Sequence, residues 1–438
     1  MTTGKCKQEK WLISALTAIC LCVILVRLGH HYRLGPIAFI KQSARVIAVP
    51  ISAVFRSDEI RRVEETTARY RVGAEHVSNV SPVETWQAVE RQLSGFKLSS
   101  SSVLPTLEVG VPFVYQPASA EYLQKFRTQD RLDDIARGAP SEYDAMLRVG
   151  GWIGSQWDHG TDVLPQDRHV CDPVAVIEQG RNGAKYWCEI AARTLVHAAS
   201  ALAWQARLIT GSRDGYTWQH AVAELWSNQF NKWFVIDADY NVVYREAGVP
   251  LSAFELHSRG RELQSSGRLN VQRIAPQKRS LADADMLRFY SYIHLDMRSD
   301  WCTRNLPRGS PVGGDRATWW TASKPLDSRL LTAKTRVDDP AKFDWHLNNV
   351  AIFAGHLDDS ADAATVTVSL AAYSPLFVSF QTSRDDGAWQ DLSGHSLVLV
   401  IEPGAHTLRV RARMDSGLFG PESRVDFSFQ SVHGERPE

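Results

Sequence analysis

The sequence predicts an α+β fold: a cysteine-bearing helix packed on an antiparallel sheet, with a C-terminal all-β sandwich and an N-terminal membrane anchor. Three observations support this prediction. Residues 188–202 carry apolar side chains at helical spacing, residues 220–226 and 232–237 alternate as strands do, and short alternating runs recur over the last hundred residues. At 438 residues the chain exceeds one typical core, so we expect several domains.

Composition is that of an ordinary globular protein. Forty-nine basic and forty-nine acidic side chains cancel, 44% of residues are hydrophobic and 22% are charged. Because basic side chains are not in excess, we expect no nucleic-acid partner. Because no CxxC pair or histidine-rich spacing occurs, we expect neither a metal nor a cofactor.

Residues 1–30 are predicted to form a signal anchor. Sixteen uncharged, mostly apolar residues lie between Lys10 and Arg27, and further lysines precede them. This length fits a signal peptide or a signal anchor, and the absence of a small-x-small cleavage pattern favours an uncleaved transmembrane helix. We therefore expect a membrane protein whose soluble part is extracytoplasmic, as in a periplasm.

Two segments connect the anchor to the core. Residues 31–80 mix apolar and charged positions and are predicted to form a stalk. Residues 81–140 contain serine and proline clusters with β-rich pieces such as VPFVYQ, and we predict an N-terminal extension that packs on the core.

The core, residues 141–260, contains a thiol at the predicted start of a helix. Cys188 opens the amphipathic run, and unpaired N–H groups and the helix dipole at that position favour a thiolate. The alternative is that Cys188 serves only as a small buried apolar side chain, because free cysteine is among the most buried residue types.

Two strand-like runs follow the helix and predict a hairpin. His220 opens the first run and Asp237 ends the second, with the polar connection SNQFNK between them. A two-residue turn places Asp237 opposite His220, whereas a four-residue loop places Asp239 there. In either register a carboxylate lies within reach of the imidazole.

The stretch from about 152 to 239 resembles the transglutaminase-like superfamily, a papain-like group that uses Cys, His and Asp in that chain order. The matching residues are Cys188 in YWCEIAARTLVHAASALAWQARLITG, His220 with Glu224 in HAVAELW, and Trp233 with Asp237 in KWFVID. The chain departs from the pattern at Trp187, where a small residue is usual, and at Ala238, where proline is common. Neither departure removes a catalytic atom. The resemblance places the carboxylate directly after KWFVI, which favours Asp237 and leaves Asp239 to cap a turn or to be solvated.

The resemblance implies acyl transfer on amide bonds through a thioester. Cys188 would be the nucleophile, His220 the proton shuttle and Asp237 the residue that orients His220. Oxyanion donors would be the Cys188 N–H and an indole from Trp152, Trp157 or Trp187, although these tryptophans also fit core packing. We expect a hydrolase or acyltransferase whose substrate is a protein, peptide or glycan of the cell envelope. The alternative is a non-catalytic binding or assembly module in envelope or polysaccharide processes.

The rest of the chain divides into two parts. Residues 261–335 are rich in aromatic residues and are predicted to connect the domains, by packing between them or by lining a saccharide cleft. Residues 336–438 are predicted to form a β-sandwich that resembles fibronectin-III or immunoglobulin-like modules. Cys171 and Cys302 either form a disulfide or stay as two buried thiols.

Overall fold

The computed structural model describes residues 68–73, 80–102, 113–162, 171–215, 217–276, 279, 281–303, 317–320, 340–359 and 364–430. All of these belong to one compact unit, Glu65–Glu438. In these ranges no helix has both the length and the apolar character needed to span a membrane. The predicted anchor over residues 1–30, and the predicted stalk before residue 68, lie outside the described residues.

The described helices precede or flank the strands of the predicted core. They are α1 Pro82–Gln92, α2 Glu121–Gln129, α3 Leu132–Ala136, α4 Glu142–Gly154, α5 Pro173–Arg181, α6 Cys188–Ala201, α7 Ala253–Ser265, α8 Asp283–Leu287 and α9 Pro340–Phe343, with a 3₁₀ turn at Arg288–Ser291.

The described strands form four sheets. They are β1 Arg71–Gly73, β2 Phe96–Ser101, β3 Ala206–Ser212, β4 His220–Ser227, β5 Lys232–Ile236, β6 Val242–Glu246, β7 Val249–Pro250, β8 Leu269–Arg273, β9 Tyr292–Asp296, β10 Ala317–Trp320, β11 Val350–Asp359, β12 Ala364–Tyr373, β13 Phe377–Arg384, β14 Gln390–Leu392, β15 Ser396–Ile401, β16 Gly404–Met414 and β17 Ser423–Phe429.

A five-stranded antiparallel sheet, in the order β10-β9-β3-β4-β5, is the centre of the core. Helix α6 packs on β3 and β4. Because side chains alternate along each strand, Ala223 and Leu225 face the helices while Val222 and Trp226 face the opposite layer, which includes α7. Both faces of this sheet are therefore buried, and the prediction of an α+β arrangement is confirmed at that level.

Helix α6 forms because its sequence combines strong helix-forming residues with burial. Alanine supplies five of its fourteen positions, and every residue after the first two is buried. Buried polar members are satisfied locally, as when Thr194 donates to the Ile190 carbonyl oxygen at 2.7 Å. This helix holds its first residue, Cys188, at the edge of a rigid layer.

The C-terminal part is a two-sheet β-sandwich with one shared core. One sheet runs β1-β12-β11, with β15 also paired to β12, and the other runs β14-β13-β16-β17-β2. The inward-facing residues along β12 alternate with half-buried ones, as a packed sheet face requires. Whether this sandwich is of the fibronectin-III type stays a prediction.

The sandwich extends beyond the predicted range of 336–438. Strand β1, from the predicted stalk, pairs with β12, and β2, from the predicted N-terminal extension, pairs with β17. The Trp86 side chain is fully buried, and its indole N–H donates to the Ile352 carbonyl oxygen at 3.0 Å. The prediction that residues 81–140 pack as one extension on the core is thus wrong for its first part, because the apolar side chains of α1 and β2 complete the sandwich core.

The aromatic-rich segment also differs from its prediction as a connector. Strand β9 pairs with β3 and carries β10 on its other edge, so residues 292–296 and 317–320 extend the central sheet. Ile293 and Leu295 are buried in that sheet. The segment is therefore part of the core, which its irregular sequence did not indicate.

Candidate active site

Cys188 is the first residue of α6 and lies where the helix leaves backbone N–H groups without helical partners. Trp187 precedes it in extended conformation and gives the helix no side-chain cap. The thiol is half-buried. An anionic sulfur at this position would be stabilised by the helix dipole and by the free N–H groups.

His220 and Asp237 form a buried pair. The His220 Nε2 atom lies 2.6 Å from Asp237 Oδ2, and the two side chains are 2% and 1% exposed. The other carboxylate oxygen, Oδ1, accepts hydrogen bonds from the backbone N–H groups of Asp239 and Tyr240 at 3.2 and 3.1 Å. The carboxylate is therefore fixed by the backbone and in turn fixes the imidazole.

The imidazole ring is also held by its neighbours. Phe289 packs against it in a tilted orientation with ring centroids 4.6 Å apart, and Tyr240 meets it edge-on at 5.3 Å. Gly211 lies opposite His220 in the β3–β4 pair, and a Cβ atom there would lie 2.5 Å from the Phe289 carbonyl oxygen. Glycine is thus required for Phe289 to approach the sheet and pack on the ring.

Burial and the neighbouring side chains shift the pKa of His220 in opposite directions. Burial alone lowers the pKa of His220, but the charge and hydrogen bond of Asp237, followed by the influence of the nearby Cys188 side chain, raise this pKa well above its usual value. The protonated form of the ring is therefore favoured in this site. An imidazolium–thiolate pair is the reactive form of a cysteine nucleophile.

The hairpin register differs from the one that would place Asp237 directly opposite His220. Trp226 pairs with Trp233 and Ser227 with Lys232, so the loop has four residues, 228–231. Asp237 therefore reaches His220 diagonally across the sheet, a distance that neighbouring strands allow. Strand β5 ends before it, and Asp237 forms a two-way backbone bridge with Val242, which turns the chain away from the ladder.

Asp239 has a different role from either predicted one. It is neither a cap nor solvated: its side chain is 4% exposed, with Oδ1 2.8 Å from His159 Nδ1 and Oδ2 2.6 Å from Arg279 Nη1. Its carboxylate also belongs to the cluster around the thiol, because one donor atom each from Cys188, His220 and Asp239 lie within 4.8 Å of one another.

Sequence reasoning missed His159 and Arg279. A backbone bridge joins His159 to Tyr186, two residues before the thiol, and the guanidinium of Arg279 lies 4.6 Å from the Tyr240 ring centroid. His159 lies between the end of α4 and the start of α5, in a stretch with no period, and Arg279 lies in a basic run. Only the tertiary fold brings the two beside Asp239.

The predicted oxyanion tryptophans occupy different surroundings. Trp157 is buried and packs edge-on against Tyr186 at 5.5 Å, and Trp152 is half-buried with Arg181 stacked 5.6 Å from its ring. Trp187 is half-buried beside the thiol and packs on the helical core. An oxyanion role for any of them stays a prediction, and Trp187 is the one adjacent to Cys188 in the chain.

A second buried charge cluster lies further along the same sheet face. The Arg207 guanidinium is fully buried, lies 2.7 Å from a Glu224 carboxylate oxygen, and stacks between Trp233 and Trp345 at 4.1 and 4.5 Å. Glu224 also accepts from the backbone N–H of Ala253, at the start of α7, at 2.6 Å. These contacts join the hairpin to α7 and support the strand that carries His220.

Cys171 and Cys302 form a disulfide, one of the two alternatives that the sequence left open. In the described part of the chain Cys188 is then the free thiol. The disulfide bridges residues 131 positions apart and ties the start of α5 to the segment after β9.

Comparison with solved structures gives a local similarity. Neither the protein families nor the curated proteins contain a match to this chain. A crystal structure described as "a Putative Cysteine Protease from Cytophaga hutchinsonii" is similar over 27% of this chain and 39% of that one, with 18% identity and a TM-score of 0.22. This chain thus matches well under half of that protein. The assignment of Cys188, His220 and Asp237 as a candidate active site depends on the geometry of these residues and not on this similarity.

Proposed function

We propose that this protein is a cysteine-dependent hydrolase or acyltransferase that acts on amide bonds through a thioester, with Cys188, His220 and Asp237 as its catalytic triad. The observation that supports this most directly is the buried 2.6 Å contact between His220 and Asp237, with the Cys188 thiol close enough to raise the pKa of the same imidazole. A purely structural thiol needs neither partner.

The reaction follows from these positions. The sulfur of Cys188 attacks the carbonyl carbon, and the electron pair of the C=O double bond moves to the oxygen. When the tetrahedral intermediate collapses, the C–N bond breaks and the His220 imidazolium gives its proton to the leaving nitrogen. The neutral ring then takes a proton from water or from an amine that attacks the thioester, and the thiolate leaves. Water gives hydrolysis and an amine gives transamidation.

An extracytoplasmic, membrane-anchored location belongs to the same proposal. The disulfide between Cys171 and Cys302 supports it, because structural disulfides persist mainly in oxidising compartments. The substrate would then be a protein, peptide or glycan of the cell envelope. Deletion of residues 1–26 should release a soluble chain that keeps its activity; a deletion variant that stays in the membrane fraction at high salt would argue against a single N-terminal anchor.

The test combines labelling with turnover. The full chain is incubated with a protein substrate and a fluorescent primary amine, so that incorporated amine reports transamidation and new amino termini report hydrolysis. Cys188→Ala should abolish both signals, and His220→Ala should lower them by roughly 10²–10⁴-fold. His406→Ala is a matched control, since His406 pairs with Asp385 in the sandwich at 3.0 Å, far along the chain from the thiol. Full activity in a folded Cys188→Ala variant would refute the proposal.

A further inference from the structure

The thiol, the imidazole and a second carboxylate form a compact set of metal-donor atoms. One atom each from Cys188, His220 and Asp239 lie within 4.8 Å of one another, and the latter two residues are buried. Zinc in proteins takes thiolate, imidazole and carboxylate ligands at about 2.0–2.3 Å, which puts tetrahedral donors about 3.3–3.7 Å apart. Side-chain movements of about one ångström would bring these three atoms to that spacing.

The imidazole already has the support that metal-binding histidines use. Its Nε2 is held by Asp237, and a carboxylate on the far nitrogen orients the ring and raises its basicity as a ligand. Its Nδ1 is buried and has no hydrogen-bond partner of good geometry within the described part of the chain. Because Nε2 is held by Asp237, Nδ1 is the ring nitrogen left to a cation.

The carboxylate of Asp239 keeps free acceptor capacity. Each of its oxygens receives one partner, from His159 and from Arg279, and a carboxylate has about four lone-pair sites. Three groups that can carry negative charge, Cys188, Asp237 and Asp239, lie at this position, and among the described residues the guanidinium paired with Asp239 is that of Arg279. The local charge therefore does not oppose a dication.

We propose that Cys188 Sγ, His220 Nδ1 and an Asp239 carboxylate oxygen bind one divalent transition metal of the zinc class, with water as the fourth ligand. A soft thiolate beside an imidazole selects zinc or cobalt over magnesium or calcium, which prefer oxygen ligands. Binding requires a thiolate and an Nδ1 atom without a proton, so it releases protons. The occupied sulfur cannot attack a carbonyl, so the metal reversibly blocks the site; this last consequence rests on the proposed function, whereas binding itself does not.

Cobalt(II) titration of the full chain tests the binding directly. We expect one equivalent of Co²⁺ to give a sulfur-to-metal charge-transfer band in the near ultraviolet, and Zn²⁺ to remove it by displacement. Cys188→Ser, which changes one atom, should lose the band. Asp239→Asn should weaken binding, and Asp237→Asn should weaken it by roughly 10–100-fold through its effect on the ring. His406→Ala, at the other His–Asp pair, should bind as the unaltered chain does.

Alkylation provides a second readout. Saturating Zn²⁺ should protect Cys188 from iodoacetamide in the unaltered chain, with the Cys188→Ala background subtracted to remove labelling of Cys6, Cys20 and Cys22. A Cys188→Ser chain that binds Co²⁺ as tightly as the unaltered one, or an unaltered chain that gives no charge-transfer band, would overturn the inference. Metal binding without turnover would instead refute the proposed function alone, and turnover that Zn²⁺ leaves unchanged would refute the inference alone.

Discussion

Asp237→Asn is the substitution that tests the triad most sharply. Oδ1 of Asp237 accepts two backbone N–H groups, so an asparagine should keep its carbonyl oxygen there and direct its NH₂ group at His220. The His220 Nε2 atom must then accept a hydrogen bond, which moves the ring proton to Nδ1. A ring protonated at Nδ1 cannot take the proton of the Cys188 thiol.

The expected loss is large. The substitution removes a buried charge 2.6 Å from the ring together with the strongest contributions that raise the pKa of His220, and leaves burial, which lowers it. The corresponding change in a serine-protease triad lowers kcat about 10⁴-fold. We expect a loss of about 10³–10⁴-fold in turnover, which corresponds to about 4–5.5 kcal/mol of transition-state stabilisation.

The assay follows both turnover and the alkylation rate of Cys188 by iodoacetamide at pH 7, with circular dichroism to verify folding. Asp237→Asn should slow both, because the thiol loses the imidazolium that stabilises its ionised form. Asp239→Asn is the paired control: it leaves the His220–Asp237 contact in place and should cost much less. A folded Asp237→Asn variant with unchanged alkylation and turnover, or a reversed order of the two variants, would refute the assignment of the orienting carboxylate.

Three further predictions concern stability. Removing the disulfide with Cys171→Ser and Cys302→Ser should lower the free energy of unfolding by roughly 2–5 kcal/mol, measured by denaturant titration; an unchanged midpoint would contradict a structural disulfide. Burial and the charge of Glu224 raise the pKa of Asp344 to about 7 in the folded chain. The folded chain therefore keeps this proton at pH values where the unfolded chain has lost it, so the stability that protonated Asp344 allows is fully present below about pH 4 and is lost as the pH rises through 7. Asp344→Asn should therefore gain stability relative to the unaltered chain between pH 4 and 8, by a few kcal/mol at most because the side chain stays 24% exposed; a difference independent of pH would contradict this. Trp86→Ala should destabilise the chain by about 3–5 kcal/mol in thermal unfolding, and a negligible loss would mean that α1 is not part of the sandwich core.

Much of the core could be predicted because its signals are local. The helix after Cys188 follows from apolar spacing over fourteen residues, and β4 and β5 follow from alternation, so sequence alone identifies the elements that carry the thiol, His220 and Asp237. The pairing of β1 and β2 with the sandwich could not be predicted in this way. Their partners lie about 300 residues further along the chain, and a short strand sequence does not specify which sheet edge will accept it.

The hairpin register shows why local sequence was insufficient at the site. In isolation, SNQFNK fits either a two-residue turn or a four-residue loop. In the folded chain Glu142, at the start of α4, accepts hydrogen bonds from the backbone N–H and side-chain amide of Asn228 at 3.1 and 2.8 Å and from the Gln229 N–H at 2.9 Å. Asn231 takes a left-handed conformation, which asparagine tolerates better than most residues, and completes the four-residue loop.

The sandwich also contacts this loop. Asn348, just before β11, donates to the Asn228 side-chain oxygen at 2.8 Å and accepts from Ser374 at 2.6 Å. The same Asn228 oxygen accepts the indole N–H of Trp226 at 3.1 Å. The loop that sets the β4–β5 register is thus held from one side by the helical layer and from the other by the sandwich. Because one residue of slip would turn His220 to the opposite face of the sheet, the sandwich is a structural part of the candidate active site rather than an appended spacer.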